Sequence, residues 1–152
     1  RSMCQYRYWL MNTAGMNAAD CLVFYGNRNC AKDFFYEREW KKLQCKEESN
    51  GDSKMNRKKA SVFKLITAFS RDTNRKVYVT HKLRENEELV WNWISAKKCY
   101  ILVAGSAVKM PNDVRNVLVE IVGKYGHKNK REAEQIVKHL ERTRRYQSET
   151  WS

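Results

Sequence analysis

Three short runs rich in β-branched and aromatic residues alternate along this chain with stretches of helical periodicity. They are Cys21-Leu-Val-Phe-Tyr-Gly26, Ser61-Val-Phe-Lys-Leu-Ile-Thr-Ala-Phe-Ser70 and Cys99-Tyr-Ile-Leu-Val-Ala-Gly105. Strands that alternate with helices build βαβ units, whose strands run parallel and whose helices cover the sheet. Runs that lack an in–out alternation suit strands buried on both faces of such a sheet. The helical stretches fit the same plan. Ala31 to Cys45 places Tyr36, Trp40 and Leu43 on one face. Leu83 to Ser95 aligns Leu83, Val90 and Ile94. Pro111 opens a helix that Gly126 closes, with a stripe of Val114, Val117, Leu118, Ile121, Val122 and Tyr125. A last helix, Lys130 to about Arg144, turns Ala133, Ile136, Val137 and Leu140 inward. Residues 1–11 read as the end of a helix, Lys46 to Lys59 as a solvated surface loop, and Tyr146 to Ser152 as a tail. The predicted class is α/β, a parallel sheet with helices on both faces.

The chain's 152 residues are about one domain, and 42% apolar content is enough for a core. Charge is one-sided: 30 Lys and Arg against 17 Asp and Glu leave +13, which calls for an anionic partner. One class of partner is nucleic acid, onto which Trp91 and Trp93 would stack as exposed aromatics. Against it, the basic residues are scattered, and neither an RNA-binding aromatic signature nor finger spacing occurs. No run approaches the ~20 apolar residues that cross a bilayer, so no membrane partner is expected. The five cysteines, Cys4, Cys21, Cys30, Cys45 and Cys99, form no C-x-x-C pair, and His81, His127 and His139 stand near none of them. No metal site is expected from that spacing, and reduced thiols in a cytoplasmic protein are the plain expectation.

Parallel α/β sheets bind ligands beyond the carboxyl ends of their strands. Gly26 and Gly105 stand at two such ends, where a bare backbone admits a ligand as readily as it serves a tight turn. The third end is richer: Ser70-Arg-Asp-Thr-Asn-Arg-Lys76. Ser70 offers a hydroxyl, Arg71 a planar fork matched to phosphate, and Lys76 a point charge. Tyr78 lies one strand-like alternation further on. A sheet that reads a ribose 2′-phosphate needs cations at this place, where one that reads a 2′-hydroxyl needs an acid. A solvated turn with scattered charge is the competing account, and Asp72 favours it. The penultimate Trp151, with Glu149 two residues before it, either packs on the core edge or covers a planar ring; packing is the commoner fate.

Five pieces in order resemble a known family: Phe24-Tyr-Gly-Asn-Arg28, Ala68-Phe-Ser-Arg71, Lys76-Val-Tyr-Val-Thr-His81, Ala104-Gly-Ser-Ala-Val-Lys-Met-Pro-Asn-Asp-Val114 and Arg144-Arg-Tyr-Gln-Ser-Glu-Thr-Trp-Ser152. They are similar to the Rossmann-like NADPH-binding domain of the ferredoxin–NADP⁺ reductase superfamily, in its diflavin reductase branch. The likeness implies an NADPH-dependent enzyme that passes electrons to FAD, to FMN and on to an acceptor protein. Ala104, Met110-Pro111 and the Glu149-Thr-Trp-Ser152 ending resemble the line serving cytosolic iron–sulfur cluster assembly more than the microsomal monooxygenase reductase. For that line the implied acceptor is an iron–sulfur protein such as anamorsin.

The resemblance also implies roles. Ser70, Arg71, Lys76 and Tyr78 would hold the 2′-phosphate and adenosine, with Val77, Val79 and Thr80 in the same segment. Arg28 would lie near phosphate or ribose, and Gly105 and Asp113 would flank the nucleotide. Trp151 would stack on the FAD ring and swing aside for the nicotinamide, and Glu149 would help to position the hydride transfer. The family's Gly-rich pyrophosphate turn, G-P-G-T-G-x-A-P-F-R, has only its final Arg here, at Arg1. Residues 1–152 would then be an N-terminally truncated NADPH-binding domain. They would lack the first strand, its phosphate loop and the flavin domains, would leave sheet edges open, and would be inactive alone.

Overall fold

The computed structural model describes residues 2–14, 16, 18–48, 62–96 and 99–151. In chain order the elements are α1 (Ser2–Asn12), β1 (Cys21–Asn27), α2 (Cys30–Asp33), α3 (Glu37–Glu48), β2 (Phe63–Phe69), α4 (Val79–Glu85), α5 (Glu87–Ser95), β3 (Ile101–Ser106), α6 (Met110–Tyr125), α7 (Lys130–Arg142) and β4 (Tyr146–Trp151). They make two compact units, Arg1–Tyr78 and Val79–Ser152.

In the first unit β1 and β2 pair in parallel, with Cys21 opposite Phe63 and Asn27 opposite Phe69. The sheet packs on a core of Cys4, Trp40, Leu43 and Phe63, joined by Tyr8, Val23, Tyr25, Phe34 and Leu65. Trp40 stacks on Phe63 with ring centroids 6.4 Å apart. Buried Arg7 donates from Nε to the Ala19 carbonyl at 3.0 Å, so that its charge is not left unsatisfied. The helix predicted over Ala31 to Cys45 is broken into α2 and α3. Tyr36 adopts a positive φ of 63° at the break and is exposed, while Trp40 and Leu43 are buried as their spacing predicts. Of the loop predicted over Lys46 to Lys59, Lys46 to Glu48 instead extend α3. Lys and Glu are good helix formers, and nothing in them stops the helix. The rest of that loop lies outside the described residues.

In the second unit β3 and β4 pair in parallel, from Ile101 opposite Tyr146 to Ser106 opposite Trp151. The stripe read from α6 is buried at Val114, Val117, Leu118, Ile121 and Val122, and α7 buries Ala133, Val137 and Leu140. A capping box starts α7: the Asn129 side chain accepts from the Glu132 N–H, and Glu132 accepts from the Asn129 N–H. Arg84 on α4 grips Glu120 on α6 with two hydrogen bonds, 2.9 and 3.1 Å. Arg115 and Glu141 join α6 to α7 at 2.7 Å.

The parallel pairing and the α/β class agree with the sequence. Four further details differ. The helix predicted over Leu83 to Ser95 is broken at Asn86 into α4 and α5. The predicted tail is a strand, β4. The strands form two pairs, β1–β2 and β3–β4, and no described strand joins one pair to the other. Consequently β1 is half-buried rather than covered on both faces.

Candidate functional site

At the carboxyl end of the first unit's sheet, pairing continues past the strands. The Ser70 amide donates to the Asn27 carbonyl at 3.0 Å, and the Arg71 amide to the Arg28 carbonyl at 2.7 Å. This ladder brings Arg28 and Arg71 side by side from loops distant in sequence. Both side chains are exposed, as is Lys76, and none of the three cations has an ion-pair partner among the described residues. Asp72, the acid that favoured a solvated turn, accepts at Oδ1 from the Cys30 N–H at 2.9 Å, at the start of α2, whose N-cap is Asn29. Thr73 Oγ1 donates to the Arg75 carbonyl at 2.7 Å and closes the turn. The end of β2 therefore keeps its carboxylate busy and its cations available to an anion.

The following segment does not stay extended. Val77 and Tyr78 are irregular, and Val79 and Thr80 form the first turn of α4. The β-branched pattern read there as strand-like sits in a helix, since propensity is a weak prior. Tyr78 is 48% exposed, so its ring faces solvent rather than a core.

In the second unit the register sets Ala104 opposite Glu149, Gly105 opposite Thr150 and Ser106 opposite Trp151. The Ala107 amide donates to the Trp151 carbonyl at 2.9 Å and extends the ladder. The β3 end runs straight into α6, in whose first turn Asp113 lies exposed. Gly105, Glu149 and Trp151 are thus gathered at one sheet end, with Asp113 at the adjoining helix start. Gly105 has a φ of 151°, and a Cβ there would lie 2.6 Å from Met110 Cε. Its glycine therefore answers a local backbone need. Trp151 is 64% exposed, which overturns the expectation that it packs on the core edge. A flat ring left in water at a strand end is a surface for another flat ring.

The aromatics invoked for nucleic acid fare differently. Trp91 and Trp93 lie within α5 and are half-buried, so neither is an open stacking platform. No cluster of three or more metal-ligating side chains occurs among the described residues, and no described helix is long and apolar enough to cross a membrane.

Residues 3–116 match the model of the oxidoreductase NAD-binding domain. The chain is 39% identical over 133 residues to NADPH-dependent diflavin oxidoreductase 1 of Xenopus laevis, covering 88% of this chain and 20% of that protein. It is 33% identical over 152 residues to the NADPH–cytochrome P450 reductase of Musca domestica, covering 100% of this chain and 20% of that protein. To the sulfite reductase [NADPH] flavoprotein alpha-component of Aliivibrio fischeri it is 36% identical over 129 residues, covering 85% of this chain and 19% of that protein. The chain spans about a fifth of the length of these relatives.

Proposed function

The chain belongs to the oxidoreductase NAD-binding domain family, and on that premise we propose that it is the NADPH-binding part of a diflavin reductase. That reductase passes electrons from NADPH to FAD, to FMN and to an acceptor protein. The observation that carries the proposal is the end of β2, where Arg28, Arg71 and Lys76 are exposed and without an ion-pair partner among the described residues, while Asp72 accepts from the Cys30 amide. A 2′-phosphate is the group that such an end prefers over a 2′-hydroxyl. Arg71 would grip it as a fork, Ser70 would donate a hydroxyl, Lys76 would add charge, and Tyr78 would cover the adenosine. Val77, Val79 and Thr80 would shape the same segment. Gly105 and Asp113 would flank the nucleotide at the β3 end.

Bound there, NADPH would supply a hydride to FAD, and this chain's residues would orient the exchange. Trp151 has the exposed ring to cover the flavin and keep water from it. Glu149, on the same strand, has a carboxylate to hold the nicotinamide amide in place. The FMN contacts would come from outside these residues, as would the pyrophosphate loop.

The finer reading is a cytoplasmic enzyme of iron–sulfur cluster assembly, with an iron–sulfur acceptor such as anamorsin. It is supported by the likeness to diflavin oxidoreductases and by Ala104 and the Glu149-Thr-Trp-Ser152 ending. Titration with adenosine 2′,5′-bisphosphate should move the backbone resonances of residues 70–80, and adenosine 5′-phosphate should move them weakly. Equal responses would contradict the assignment. Binding of random oligonucleotides with a steep salt dependence would instead support a nucleic-acid module.

A further inference from the structure

The loop that follows β1 carries Arg28, and side chains hold its backbone at three successive residues. The Arg28 amide donates to Asn27 Oδ1 at 2.9 Å, the Asn29 amide to Asp33 Oδ2 at 3.1 Å, and the Cys30 amide to Asp72 Oδ1 at 2.9 Å. Successive backbone N–H groups at a turn can cradle an anion. Here side-chain oxygens occupy all three, so an anion reaching this sheet end is met by side chains rather than by these amides.

Asn27 and Asp33 close the loop on itself: Asn27 Nδ2 also donates to the Asp33 carbonyl at 2.7 Å. Asp72 does something else. It lies 42 residues beyond Cys30 and next to Arg71, so its hydrogen bond joins the loop of one arginine to the loop of the other. It adds a side-chain bond to the two backbone bonds between these loops, from the Ser70 amide to the Asn27 carbonyl and from the Arg71 amide to the Arg28 carbonyl. By charge alone a carboxylate beside Arg71 opposes a bound phosphate. Its geometry gives it the contrary effect.

We propose that Asp72 is a positioning residue for recognition of the 2′-phosphate. By holding the Cys30 amide it fixes the Arg28 loop against the Arg71 loop, so that the two arginines stand side by side before the nucleotide arrives. A site ordered in advance loses less on binding. The inference rests on the nucleotide reading above and concerns a residue that acts through Arg28 and Arg71.

The test compares Asp72→Asn with Asp72→Ala in the whole chain. Both remove the charge at an exposed position, and only asparagine keeps an oxygen that can accept from the Cys30 amide. The comparison therefore isolates the hydrogen bond from the charge. Calorimetry gives the dissociation constants of adenosine 2′,5′-bisphosphate and adenosine 5′-phosphate for each variant. The preference for the bisphosphate should be about 3–10-fold smaller in Asp72→Ala than in Asp72→Asn, the worth of one hydrogen bond, while both variants bind the 5′-phosphate alike. Equal preferences in the two variants, or an equal loss of affinity for both ligands in Asp72→Ala, would overturn the proposal. In the native chain without nucleotide, the amides of Arg28, Asn29 and Cys30 should already exchange slowly with solvent. Fast exchange at Cys30 overturns the proposal whether or not Asp72→Ala folds. A native chain that binds the two ligands equally well would sink the nucleotide reading itself, and this inference with it.

Discussion

Single side chains decide how each region of this protein behaves. Asp72 shows it most directly, because sequence alone sets its charge against Arg71 and Lys76. The structure turns one oxygen of that carboxylate to the Cys30 amide instead of to either cation. A partner so distant in sequence leaves no local signal, so this part of the site was not legible beforehand. Gly105 is constrained by its φ of 151°. Gly105→Ala should therefore cost about 1–3 kcal/mol of strain, visible as a lower midpoint in thermal unfolding; an unchanged midpoint would deny the constraint. Cys4 gives the pH dependence. Its ordinary value of 9 falls to about 7 in the fold, first through the Cys21 hydrogen bond. A depressed value stabilises the fold fully above the unfolded value of about 9, and that contribution disappears as pH falls through about 7. The rate of iodoacetamide capping at Cys4 should half-saturate near pH 7, while Cys99, which burial pushes up, should need a pH above 9. Parallel profiles at the two cysteines would contradict this.

Among the elements, legibility follows burial. The α6 stripe could be read from sequence because Val114, Val117, Leu118, Ile121 and Val122 are buried on one face at helical spacing. Strand β4 could not. Only Tyr146 is buried in it, and the polar residues that follow show no run or alternation. Backbone pairing with β3 makes it a strand, and Arg145 anchors its start. That guanidinium donates to the Cys99 and Ala96 carbonyls, both at 2.9 Å, while the Arg145 carbonyl accepts from the Ile101 amide at 2.7 Å. Arg145→Ala should cost about 1–2 kcal/mol, since two charge-assisted bonds are lost at a partly exposed site. The amides of β4 should then exchange with solvent roughly 5–30-fold faster. Unchanged exchange would mean that the strand needs no such anchor. The break between α2 and α3 was equally hidden, since Tyr36 lies on the helical period and only its positive φ shows the interruption.

On the scale of the whole molecule, charge and family agree. The net +13 includes Arg28, Arg71 and Lys76, which have no ion-pair partner among the described residues and stand at a sheet end of the first unit, where a parallel α/β fold receives its ligand. The second unit gathers Glu149 and the exposed Trp151 at its own sheet end. In the intact reductase proposed above, Trp151→Ala should change the rate of FAD reduction by NADPH or the preference for NADPH over NADH by about 10-fold or more, as expected for loss of an orienting contact. Stopped-flow reduction with both nucleotides checks it, and unchanged rates would remove the ring from the exchange. The most direct measurement of the central claim is calorimetric: the dissociation constants of adenosine 2′,5′-bisphosphate and adenosine 5′-phosphate for this chain and for Arg71→Ala. The native chain should favour the bisphosphate by about 10–100-fold, the worth of one charge-assisted phosphate contact, and Arg71→Ala should bring the two ligands close to parity. A preference that survives the loss of Arg71 undiminished would contradict the claim that the end of β2 reads the 2′-phosphate.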